Sequence, residues 1–102
     1  VEQDFAEAYR WFGKAAVQGY TEASCEMGTM HRFGHGVQHH LLAAADFHLI
    51  AAEAGDAVSV GNLSEYRADL EILALSGSQM ASLFLSRIYN RGFGVDASQP
   101  LT

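Results

Sequence analysis

One phrase occurs twice in this chain of 102 residues, and its spacing constrains the fold more tightly than any bulk property. Ala23 to Val37 reads ASCEMGTMHRFGHGV, and Ala81 to Val95 reads ASLFLSRIYNRGFGV. The pairs Ala23/Ala81, Met27/Leu85, Gly34/Gly92, Gly36/Gly94 and Val37/Val95 all keep one offset of 58 positions. A second phrase, Ala-Ala-x-x-Gly, runs from Ala15 to Gly19 and again from Ala51 to Gly55, an offset of 36. Leu73-Ala74-Leu75-Ser76-Gly77 is a degraded third copy. Self-similarity with a period in the thirties marks helical arrays, in which each helix pair buries its apolar face only against its neighbours. The expected fold is all-α: an α/α solenoid of antiparallel helix pairs, with about five helices.

Punctuation places the helices. Asp4 is an N-cap candidate, and Phe5, Ala8, Trp11, Phe12, Ala15 and Ala16 share one broad helical face. Trp11 is expected in the packed core. Gly19 ends that helix, since the residue after the C-cap commonly takes the left-handed conformation that suits glycine. Thr21 and Glu22 restart a helix with Ala23, Met27, Met30 and His31 on its buried stripe. The run Phe33-Gly34-His35-Gly36-Val37 is a turn between repeats. Leu41 to Ala54 rebuilds the first type of helix, with Phe47 at the position of Trp11 and Gly55 as the stop.

After Gly55 the pattern falters. Ser59 stands where Ala23 stood and Leu63 still matches Met27, but Gly-x-Gly-Val is missing. Gly55 and Gly77 lie only 22 positions apart, 14 fewer than the first interval. The reading is a short connector over Asp56–Gly61 and a helix over Leu63–Ser76, with Gly61-Asn62 opposing a continuous helix from Ala57. A last helix covers Gln79–Asn90. The chain thus reads as one repeat domain with repeats at about 4–39, 40–61 (degenerate) and 62–97, and the start of a further one at 98–102.

The phrases resemble the Sel-one-like repeat, a relative of the tetratricopeptide repeat. Trp11-Phe12-Gly13-Lys14-Ala15-Ala16-Val17-Gln18-Gly19 follows that family's first-helix run almost residue for residue. Ala23, Met27, Gly28 and His31 follow at the family's spacing, with His where the family usually has Tyr. The resemblance implies a protein-interaction scaffold or adaptor that binds a peptide or protein partner.

Composition narrows the partner. Six basic against 12 acidic residues give a net charge of −6, which disfavours a nucleic-acid backbone or an anionic membrane surface as ligand. No apolar run is long enough to span a bilayer. Cys25 is the single cysteine, so no intramolecular disulfide forms and the thiol reads as a packing residue. No signal peptide is visible, which tilts localisation toward the cytoplasm; the chain starts at Val1, so a removed leader stays open. Exposed ends of the repeat array leave self-association open.

The partner surface follows from solenoid curvature, which exposes a concave face lined by the first helix of each pair. Positions between the packing residues face that groove: Arg10, Gly13, Lys14 and Val17 on the first helix and, 36 positions on, Asp46, Leu49 and Glu53. A mixed charged and apolar surface of this kind suits a peptide or helix. The alternative is a metal-binding or metal-sensing turn, because His31, His35, His39, His40 and His48 crowd 18 positions, and His35, His39 and His40 flank a turn. Catalysis has little support. A serine nucleophile needs a base and an orienting group, and Ser24, Ser76, Ser78 and Ser82 sit in helix or turn contexts that the repeat explains. Asp69 and Glu71, two apart on a helix, point in different directions. The glycine turns lack the lysine and preceding strand of a phosphate loop. No enzyme activity and no cofactor are expected.

Overall fold

The structure is a computed structural model that describes residues 4–93. It is all-α among those residues, with α1 Phe5–Val17, α2 Thr21–Phe33, α3 Leu41–Glu53, α4 Ala57–Leu75 and α5 Gln79–Arg91. The five-helix array is elongated, 49 × 28 × 20 Å. Consecutive helices pack on one another, and α5 also packs on α3. No described helix is long and apolar enough to cross a membrane. Gly94, Val95, the end of the third repeat and positions 98–102 lie outside the described residues.

The two sequence phrases correspond to two turn types. After α1, Tyr20 N–H donates to Ala15 O (3.2 Å) and Gly19 N–H to Ala16 O (3.0 Å). Gly19 has φ +96° there, the left-handed geometry that costs glycine nothing and resists a side chain. The same pair of bonds recurs after α3, from Asp56 to Ala51 and from Gly55 to Ala52, and after α4, from Ser78 to Leu73 and from Gly77 to Ala74. The degraded copy therefore makes the same turn as the intact ones. The longer phrase ends α2 and α5, where Gly34 and Gly92 are left-handed and His35 and Phe93 N–H groups close onto Met30 O and Ile88 O, both at 2.9 Å.

The segment after Gly55 differs from expectation. No connector occupies Asp56–Gly61: α4 starts at Ala57 and runs unbroken for 19 residues. The repeat boundary at 61/62 consequently falls inside a helix. Asp56 caps it, accepting from Ser59 N–H (3.0 Å) and Ser59 Oγ–H (2.7 Å). Ser59, Leu63, Tyr66 and Leu70 then form a buried stripe. Gly61 costs about 1 kcal/mol in a helix, and burial of three large side chains at roughly 1.5–3 kcal/mol each outweighs it. One helix opens like the second member of a pair and closes like the first member of the next. The shortened interval brings α5 directly against α3.

The core lies at this end. Ala45, Leu49 and Ala52 of α3 meet Leu63, Tyr66 and Leu70 of α4 and Ala81, Phe84 and Ile88 of α5. By contrast α1 has no buried residue, and Trp11 is 57% exposed, not in the core as its motif position implied. The indole lies on the face of α1 that lacks a preceding helix among the described residues.

Candidate interaction surface

The α3 half of the expected concave face is closed. Leu49 is completely buried and cannot contact a partner; as part of the α3–α5 core it is a correction to the groove assignment. Asp46 and Glu53 are half-buried and engaged by Arg87 of α5. Arg87 Nε donates to Glu53 Oε2 at 3.1 Å and its Nη2 to Oε1 at 2.5 Å, while Nη1 lies 3.7 Å from Asp46. The bidentate pair lowers the Glu53 pKa and raises that of Arg87. Helix α5 packs on α3 here, contributing to the core that encloses Leu49 and setting Arg87 against Asp46 and Glu53.

The α1 half is open. Trp11 Nε1–H donates to Glu7 Oε2 (3.2 Å), and Arg10 bonds the same carboxylate through Nε (3.0 Å) and Nη2 (3.1 Å). Arg10 and Lys14 both stand over the indole, 5.0 and 4.4 Å from its centroid. Val17 is 90% exposed. Gly13 faces inward instead, where an added Cβ would sit 3.7 Å from the Met27 methyl, so it serves the α1–α2 contact. Of the seven expected residues, Arg10 and Lys14 share this surface with Trp11, and Val17 is exposed at the end of α1.

The histidines have separate roles. His31 joins four segments: its Nδ1–H donates to Gln38 O (3.2 Å), which leaves Nε2 to accept from the Tyr9 hydroxyl (2.9 Å), and its ring stacks on Phe47. His35 stacks on Phe5 at 4.8 Å. His40 caps α3, its Nδ1 accepting from Ala43 N–H (3.0 Å). His39 is exposed beside Gly34. Among the described residues no group of three or more His, Cys, Asp or Glu is arranged to hold a metal, so His35, His39 and His40 are not brought together as the metal alternative requires.

Two features escaped the sequence reading, the polar isolation of His48 and a groove. His48 is buried against Gly28, where an added Cβ would lie 2.7 Å from its ring, and beside Tyr66 at 5.5 Å between centroids. Both His48 ring nitrogens and the Tyr66 hydroxyl are buried without a hydrogen-bond partner among the described residues. Burial, aided by Arg32, pushes the His48 pKa down to about 4, against the opposing pull of Asp56 and Glu65. The other feature is a groove of about 650 Å³ where the end of α1 and the starts of α2 and α4 meet, lined by Phe12, Tyr20, Glu22, Glu26 and Val58 among others. Cys25 and Asp56 also line it, and burial raises the thiol pKa. No periodicity announces this groove, because two walls come from the first repeat and the third from α4, beyond the next turn.

The chain matches no protein-family model, no curated protein and no solved structure.

Proposed function

We propose that the chain is a protein-interaction scaffold of the Sel-one-like repeat type and that its partner docks on α1. The observation that carries this reading is the outer face of α1: an exposed Trp11 held by Glu7 under two cations, Arg10 and Lys14. Tryptophan and arginine are the residues most enriched among those that dominate binding energy, and an indole fixed in place loses little entropy on docking. The reading assigns the chain to binding rather than catalysis. Its test is affinity capture from the source organism with the wild-type chain and with Trp11→Ala combined with Lys14→Glu. Loss of a specific captured protein, with the circular dichroism spectrum unchanged, is the expected result. Undiminished capture by the variant moves the partner off α1.

A further inference from the structure

We infer that the groove between α1, α2 and α4 binds a short peptide segment in which a basic side chain stands beside an apolar one. This rests on the scaffold reading but concerns a surface separate from the Trp11 face. The walls are apolar: Phe12 and Ala15 from α1, Ala23 from α2 and Val58 from α4. Tyr20 and Val58 remain 64% and 66% exposed, so the fold itself leaves these side chains uncovered. The volume of about 650 Å³ lies within the range of small-ligand sites.

Charge identifies the occupant. Glu22 and Glu26 stand one helical turn apart on the α2 rim, both exposed, with Asp56 across from them. Among the described residues no lysine or arginine lines the groove, so the exposed Glu22 and Glu26 carboxylates, with the capping carboxylate of Asp56 also in the lining, border its apolar walls without a cation. A cation is the complement. A metal ion or simple amine satisfies only the rim and leaves the walls wet. A peptide also supplies backbone carbonyls as acceptors. Thr21 and Glu22 form part of its lining, and α2 begins there without a side-chain cap, whereas the other four helices each have one. The first amides of a helix need acceptors, and peptide carbonyls provide them.

The test titrates a library of short synthetic peptides, combining Arg or Lys with Leu, Val or Phe, into the ¹⁵N-labelled full chain. Basic members are expected to shift the amide signals of Tyr20, Glu22, Glu26 and Val58. Versions with Glu in place of the basic residue should not. Glu22→Lys with Glu26→Lys is expected to weaken binding by about tenfold or more; should that variant unfold, Val58→Ser offers a milder lesion at an exposed wall. Three results overturn the inference: no member binding below about 1 mM, affinity indifferent to peptide charge, or shifts confined to other surfaces. Arg10→Glu with Lys14→Glu should leave peptide binding intact. Peptide binding lost in that variant but retained in the groove variants would overturn this site while leaving the scaffold reading standing.

Discussion

Helices α1 and α3 hold equivalent places in the repeat, have the same length of 13 residues and end in the same turn, yet their environments differ. Helix α3 buries Ala44, Ala45, His48, Leu49, Ala51 and Ala52. The equivalent positions on α1 are Ala8, Tyr9, Phe12, Gly13, Ala15 and Ala16, and none is buried. The difference comes from neighbours: α3 is packed by α2, α4 and α5, and α1 by α2. A repeat motif therefore dictates where helices start and stop, while burial depends on what stacks on either side. The closed end carries the buried core and the open end carries exposed large side chains.

The largest expected effect tests the closed end. Leu49 is fully buried among residues of three helices, so Leu49→Ala should cost about 2–5 kcal/mol in denaturant unfolding. Its repeat counterpart on α1 is Gly13, which already lacks a side chain. A loss below about 1 kcal/mol is too small for a packed leucine and would remove the basis for contrasting the two ends.

The helix termini were legible because their determinants are local. Asp4 caps α1 as expected, accepting from Glu7 N–H, and Gly19, Gly55 and Gly77 each stop a helix. The continuity of α4 was not legible, since it depends on Leu63, Tyr66 and Leu70 finding partners far along the chain. Leu49 and Trp11 were misplaced for the same reason: periodicity defines a helix face but not whether anything covers it. His48 was half-legible. It stands 36 positions after Phe12 and so falls at a packing position of the repeat, but nothing local revealed that its nitrogens would lack partners.

An acid titration sharpens the comparison next, because His48 belongs to the closed end. Its folded pKa of about 4 lies below the ordinary value of 6.5. Folding therefore favours the neutral ring; its contribution is complete above about pH 6.5 and is lost as pH falls toward about 4. The shift corresponds to about 3 kcal/mol. Asp56 and Glu53, whose pKa values are lowered by hydrogen bonds from Ser59 and Arg87, lose stabilisation at lower pH still. His48→Leu separates the contributions: it should be near neutral at pH 7, where the buried nitrogens have no partner to lose, and should flatten the decline between about pH 6.5 and 4. Stability profiles that run parallel in both proteins would show that this ring is not charged on unfolding.

The smallest expected effect belongs to the open end. Trp11→Ala removes a large aromatic residue, and in a core that costs about 3–5 kcal/mol. Here the indole is 57% exposed, and its ties are one hydrogen bond to Glu7 and two cations over its face. An exposed cation–π contact contributes roughly 0.5–1 kcal/mol, so the loss should stay near about 1 kcal/mol, and native Trp11 should fluoresce as a largely solvated indole. Phe47 holds the same repeat position on α3, is half-buried and stacks on His31 at 5.6 Å. Phe47→Ala should therefore cost clearly more, although tryptophan is the larger side chain. Equal losses, together with a melting temperature that rises with protein concentration, would mean that a second copy covers the α1 face in solution. Equal losses without that dependence would mean that Trp11 is packed within the chain, and the contrast between α1 and α3 would then fail.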